Sequence, residues 1–241
     1  MTFKKILNFS PNFNLKKRSK SQIKFLVFHY TGMKSEIAAL KKLTNIQSEV
    51  SSHYLIKNNG EIVLMVPETY IAWHAGVSFW KKYKSINKYS IGIEISNPGH
   101  SYNYKNFSTK QIKSIVKLSK YLIKKYNIKP TSILGHSDIA PNRKKDPGEK
   151  FPWKTLSKVN LAYWHSLDEN KLKKNRLIRL KLVEQNEFFT NLYKFGYNRI
   201  NSSKLSYTKR LLIKSFQRRF RQNLVNGIVD KECLFISRKL F

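Results

Sequence analysis

Two histidines and an aspartate stand where a metal ion would be held. His29 closes the apolar run Ile23 to His29 (IKFLVFH) and is followed by Tyr30-Thr31-Gly32. His136 lies in GHSDIAPNRKKDPG, just past another short apolar run, and Asp146 lies in the loop after it. Two imidazoles and one carboxylate suit zinc, and three protein ligands leave a fourth position for water. One such histidine alone reads more simply as a satisfied polar residue at a strand end. Three candidate ligands together, in motif-like surroundings, make that the weaker reading. A second carboxylate, Glu94, sits in Ile91 to Ser96 (IGIEIS), where isoleucines alternate with Gly92, Glu94 and Ser96. Glu94 therefore faces away from the isoleucines, toward solvent or toward the floor of a site; alternation alone does not choose.

These residues need a scaffold, and the hydrophobic pattern outlines one. Ile23 to His29 and Ile91 to Ser96 read as buried strands. Ser35 to Glu49 has helical spacing through Ile37, Leu40, Leu43 and Ile46. His53 to Lys57 and Glu61 to Val66 flank Asn58-Asn59-Gly60, and Asn-Gly supplies the positive φ angles of a tight hairpin turn. Ser108 to Tyr126 predicts the clearest helix. Ser108 and Gln111 form a capping box, and Ile112, Ile115, Val116, Ser119, Leu122, Ile123 and Tyr126 make one apolar stripe. Pro130 closes that segment, and Thr131 to Leu134 is a short strand. Strands interleaved with helices predict an α/β fold, a central mixed sheet flanked by helices, with a small all-α domain at the C-terminus.

Five ordered motifs carry a family resemblance: VFHYT, SSHYLI, AWHAG, SIGIEISN and LGHSDIAPNRKKDPGEKFPW. Together they resemble the type 2 N-acetylmuramoyl-L-alanine amidases, which include anhydromuropeptide amidases and are related to peptidoglycan recognition proteins. The resemblance runs from about Lys24 to Trp153. It implies one zinc ion on His29, His136 and Asp146, a catalytic carboxylate at Glu94 and a basic group at Lys144. Those types fit the chemistry: zinc acidifies bound water, a carboxylate moves its proton to the leaving amine, and an ammonium stabilises an oxyanion. The simpler reading of Lys144 as surface charge has support from its neighbours Arg143 and Lys145. His74 in AWHAG, and Tyr30, are expected beside the substrate. His53 reads as a core histidine of the hairpin, and His100 and His165 as surface residues.

The expected organisation is a basic, loop-like tail over 1–22, a catalytic domain over 23–160, a helical connector over 161–185 and a helical domain over 186–241. In that last stretch LYKFGYNRI, SFQRRF and NGIVDKECL resemble the small helical peptidoglycan-binding domain of wall hydrolases. Its Phe188, Phe189, Tyr193 and Phe195 serve equally well as the core of a plain brace for the catalytic domain.

Composition sets outer bounds. The 241 residues include 47 Lys+Arg against 14 Asp+Glu, a formal net charge of +33. Such charge fits an anionic partner, but Lys is spread without patterning and compositional bias accounts for it equally well. No nucleic-acid motif accompanies it, so nucleic acid is not an expected partner. One cysteine, Cys233, excludes a disulfide framework, and no apolar run approaches a membrane span. Lys4 and Lys5 precede only the short Ile6-Leu7, so no secretory signal is readable. The expected location is the bacterial envelope or the exterior by another route, with the cytoplasm as alternative. The expected partner is peptidoglycan or its muropeptides. The rival reading is a peptidoglycan binder without catalysis, which the intact ligand set and Glu94 disfavour.

Overall fold

A computed structural model describes residues 5–199 and 205–241. Met1 to Lys4 of the N-terminal tail, and Ile200 at the end of the GYNRI motif, lie outside the described residues.

Six strands form one sheet in the order β1-β5-β4-β9-β3-β10: β1 (Ile6–Leu7), β3 (Phe25–Tyr30), β4 (Tyr54–Ile56), β5 (Ile62–Leu64), β9 (Ser90–Ile95) and β10 (Ile133–Gly135). The β4–β5 pair is the expected antiparallel hairpin, and every other pairing is parallel. Its turn holds Gly60 at φ 86°, a left-handed conformation that glycine adopts without a Cβ penalty. Two small ribbons complete the β structure. β2 (Phe13–Asn14) pairs with β6 (Ile71–Ala72), and β7 (Phe79–Trp80) with β8 (Tyr83–Lys84).

Strand β3 divides two cores by its period of two. Leu26 and Phe28 point to one side, with Ile91, Ile93 and Ile95 of β9. Helix α2 (Thr109–Tyr126) covers that face through Ile115, Leu118 and Leu122. Its capping box is present: Ser108 Oγ accepts from the Gln111 N–H, and Gln111 Oε1 accepts from the Ser108 N–H. Helix α1 (Glu36–Thr44) occupies the first part of the predicted Ser35 to Glu49 segment. It ends before a 3₁₀ turn at Ile46–Ser48.

Phe25 and Val27 point to the other side, into a core shared with the C-terminal helices. Those are α6 (Leu182–Phe195), α7 (Leu205–Phe220) and α8 (Lys231–Ser237). Phe188, Phe189 and Phe195 of α6 and Leu212, Phe216 and Phe220 of α7 are buried there against Phe25, Val27, Trp80 and Leu134. Truncating one such buried phenylalanine to alanine costs about 3–5 kcal/mol. The short helices α3 (His136–Ile139), α4 (Trp153–Ser157) and α5 (Glu169–Lys173) fill the connections.

Two local expectations differ from the structure. The N-terminal stretch is not a free loop. Its β1 adds a parallel edge to the sheet, and the buried Arg18 guanidinium donates to the carbonyls of Glu68 and Asn87. The connector 161–185 is helical only at α5 and at the start of α6. Tertiary hydrogen bonds override its helix-forming composition: Lys231 N–H donates to Ile178 O, Glu232 N–H to Asn175 O and Leu177 N–H to Asp230 Oδ2.

Candidate metal centre

The three candidate ligands converge at the C-terminal ends of parallel strands, where open α/β sheets place their sites. His29 follows Phe25 and Val27 on one face of β3, and His136 opens α3 immediately after β10. Asp146 returns to them through its backbone, whose carbonyl accepts from the Ser137 N–H. His29 Nδ1 lies 2.9 Å from His136 Nδ1 and 3.0 Å from Asp146 Oδ2, and His136 Nδ1 lies 3.0 Å from the same oxygen. All three residues are buried.

Three mutual contacts of this kind are poor hydrogen bonding, because two imidazole nitrogens that both face one oxygen also face each other. They suit a shared cation. Zinc bonds of about 2.0–2.1 Å in a tetrahedron place neighbouring ligand atoms about 3.3 Å apart. The donor set therefore fits a zinc-sized ion.

The far ring nitrogens fix the tautomers, the usual supporting arrangement for metal-binding imidazoles. His136 Nε2–H donates to the Ala75 carbonyl at 3.1 Å, leaving Nδ1 with its lone pair. His29 Nε2–H faces His74 Nδ1 at 3.0 Å, which does the same for His29. His74 Nε2–H then faces Ser90 Oγ at 3.1 Å, and Ser90 donates to Ile86 O. The backbone of His74 and Ala75 is pinned by Asn87 Oδ1, which accepts from both N–H groups. Gly92 makes room for this relay, since a Cβ there would meet His74 Cγ at 2.4 Å. His74 thus stands behind a ligand with both ring nitrogens committed. It also lines the cavity that Glu94 faces.

Electrostatics agree with this assignment. Burial, then the neighbouring His136, pushes His29 down to about 4, so its imidazole stays neutral and able to bind a cation. Burial opposes ionisation of Asp146, but His136 and His29 hold its carboxyl well below the ordinary range.

Glu94 lies directly across the parallel ladder from His29. Its face is the floor of a cavity of about 370 Å³, also lined by Tyr30, His136, Lys144 and Asp146. Burial, then the Asp146 charge, pushes Glu94 up to about 8. Its Oε2 is buried and has no hydrogen-bond partner. A proton-accepting group beside a cation site is left free for a reactant.

Lys144 lines the cavity together with Arg143 and Lys145, and Arg143 also donates to the carbonyls of Ala75 and Val77. Tyr30 lines the cavity mouth, its hydroxyl 2.9 Å from His100 Nδ1, and His100 Nε2 faces Glu149 at 3.1 Å. His100 is therefore half-buried at the site rather than a plain surface residue. His165 is buried against Trp164. His53 is fully buried, accepting at Nδ1 from the Gly92 N–H. No motif marked His100, and Glu149 lies in the LGHSDIAPNRKKDPGEKFPW motif without a role of its own there; the fold brings both to Tyr30.

A family model described as N-acetylmuramoyl-L-alanine amidase matches residues 19–149. The chain belongs to the N-acetylmuramoyl-L-alanine amidase family. It is 35% identical over 231 residues to the N-acetylmuramoyl-L-alanine amidase AmiD of Escherichia coli, covering 91% of this chain and 82% of that one. It is 39% identical over 104 residues to the 1,6-anhydro-N-acetylmuramyl-L-alanine amidase AmpD of Enterobacter cloacae, covering 43% of this chain and 54% of that one. Among solved structures it is similar to E. coli AmiD in complex with the substrate anhydro-N-acetylmuramic acid-L-Ala-D-gamma-Glu-L-Lys. That likeness has a TM-score of 0.80 at 33% identity, over 94% of this chain and 91% of that one. Pseudomonas aeruginosa AMPDH3 has a TM-score of 0.79 at 28% identity, over 95% of each chain. The similarity to AmiD and AMPDH3 thus takes in the C-terminal helices as well as the sheet. Among the described residues no helix is long and apolar enough to cross a membrane.

Proposed function

We propose that the chain hydrolyses the amide bond between N-acetylmuramic acid and L-alanine, in peptidoglycan or its muropeptide fragments, with one zinc ion held by His29, His136 and Asp146. One observation carries the reading: three ligand atoms about 3 Å apart stand beside a buried carboxylate oxygen of Glu94 that has no partner. Bound zinc supplies Lewis acidity for the scissile carbonyl and acidifies water. The Glu94 carboxylate takes the proton from the attacking water and returns it to the departing L-alanine amine. Its raised proton affinity suits both halves of that exchange. The Lys144 ammonium faces the same cavity and stabilises the oxyanion of the tetrahedral intermediate. Tyr30 orients the substrate at the cavity mouth.

Mass spectrometry of products from soluble anhydromuropeptides and from intact sacculi tests this. The expected products are free peptides beginning with L-alanine. Stoichiometric zinc binding with no such product from either substrate would instead establish a peptidoglycan binder without catalysis. A preference for sacculi supports work in the cell envelope, and a preference for soluble fragments supports the cytoplasm.

A further inference from the structure

Five aliphatic side chains of the C-terminal region stand in solvent on neighbouring segments. Leu177, Leu182 and Val183 are 66%, 74% and 71% exposed, and Ile178 and Ile228 are exposed beside them. An antiparallel bridge between Arg179 and Asp230, with the Lys231 N–H donating to Ile178 O, brings the Ile228 turn against the Leu177 to Lys181 run. Leu177 has φ 64°. A leucine in the left-handed region is strained, and here the strain turns an apolar side chain outward. Monomeric proteins rarely leave a contiguous apolar patch uncovered, and a polar rim around one marks an interaction surface.

The rim is mainly basic. Lys173, Lys174, Arg179 and Lys181 are exposed around the patch. Of the nearby acids, two are withdrawn from the surface and one, Glu184, is partly exposed. Asp230 and Glu232 are buried and paired with Arg221 and Arg176. Glu184 accepts from the Lys181 N–H at the start of α6.

We infer that this patch docks on an anionic phospholipid surface. The aliphatic side chains enter the headgroup and acyl boundary, and the four cations sit among lipid phosphates. Each charged contact of that kind is screened by salt, whereas aliphatic insertion is not. This proposal is independent of the amidase reading.

The test is sedimentation of the full chain with vesicles of phosphatidylcholine alone and with about one-third phosphatidylglycerol. The chain is expected to bind the anionic vesicles and to lose affinity as salt rises. A variant carrying Leu177→Ser, Ile178→Ser, Leu182→Ser and Val183→Ser keeps the +33 charge. Its affinity is expected to fall about tenfold or more, with melting temperature and zinc content unchanged because all four side chains are exposed. Undiminished binding by that variant overturns the proposal in favour of charge alone. Equal binding to neutral vesicles overturns the anionic assignment. So does the absence of vesicle binding, whether the same substitutions then alter sedimentation with sacculi, alter the oligomeric state, or alter neither.

Discussion

The strands that carry the site and the helices that close the chain solve different problems. On β3 and β9, strand alternation sorts the side chains onto two faces. Leu26, Phe28 and the three isoleucines go to α2, and His29 and Glu94 go to the opposite face, where Glu94 lines the cavity. In the C-terminal region the organising contacts are long-range and polar. Arg219 of α7 donates to Asp138 Oδ2 at 2.5 Å and to Ile133 O at 2.9 Å, and Tyr197 donates to Asp138 Oδ1 at 2.8 Å. Ser215 donates to Ser137 O, and Gln222 to Phe151 O. Every one of these bonds ends on the segment that runs from β10 through both His136 and Asp146. The helices therefore hold the loop with the candidate metal ligands from behind, although they lie beyond the residues 19–149 that the family model matches. Their aromatic residues are spent on that packing: Phe188, Phe189 and Phe195 are buried, which supports a bracing role over sugar stacking.

Breaking the Arg219–Asp138 pair is the sharpest challenge to this comparison. Both side chains are 1% exposed. Arg219→Met strands a buried carboxylate, and removal of one partner from such a pair costs about 3–5 kcal/mol. Urea unfolding should show that loss, and zinc affinity measured by competition with a chelator should weaken with it. Asp138→Asn in the same chain should restore much of the stability, since no unpaired charge remains. A loss under about 1 kcal/mol would make the helices an appended module rather than a brace.

Glu94 offers a second, smaller break, and it separates stability from activity. Glu94→Gln keeps the shape but takes no proton, so turnover should fall on the order of a hundredfold with zinc still bound. Stability should move the other way. In the chain stripped of metal, Glu94 is raised to about 8, against about 4.3 for a free glutamate. Between those values the folded state holds a proton that the unfolded state has released. Stability therefore falls as pH rises through that window, and it is fully present only below it. At pH 8, thermal unfolding should show the Glu94→Gln chain more stable than the parent. A parent whose stability does not change across the window would show that the carboxylate is solvated.

How much was readable in advance follows the same division. The hairpin turn at Gly60, the Ser108 capping box and the burial of β3 rest on neighbours in sequence, and each was legible. So were the two histidines that the structure brings together with Asp146, because each closes or follows a legible strand. The contact of His74 with His29 was not legible, since AWHAG marks that His74 matters without showing which ring it meets. The connector was misread because its backbone hydrogen bonds go to residues 230–232, about fifty positions away, where no window of propensity sees them. The Arg219–Asp138 pair was hidden for the same reason, within a run of basic residues that looks like a solvated face.

The smallest expected effect concerns the cavity mouth, where the two regions meet. Arg218 of α7 approaches Glu149 at 3.8 Å, Glu149 faces His100 Nε2, and His100 Nδ1 faces the Tyr30 hydroxyl at 2.9 Å. With Nε2–H directed at the carboxylate, a neutral His100 presents a lone pair at Nδ1 and takes the Tyr30 proton as a hydrogen bond. The Tyr30 ring is held as well, because Gly99 lies so close that a Cβ there would meet Tyr30 Cε2 at 2.4 Å. Its oxygen is thereby oriented as an acceptor, the role that suits a peptide N–H of the substrate. Tyr30→Phe removes one neutral hydrogen bond, worth roughly 1 kcal/mol, or about fivefold in kcat/KM. The loss should appear in KM with kcat nearly unchanged, because a peptide N–H away from the scissile bond is held equally in the ground and transition states. Zinc content should not change. A loss confined to kcat would instead place the Tyr30 hydroxyl on the reacting amide.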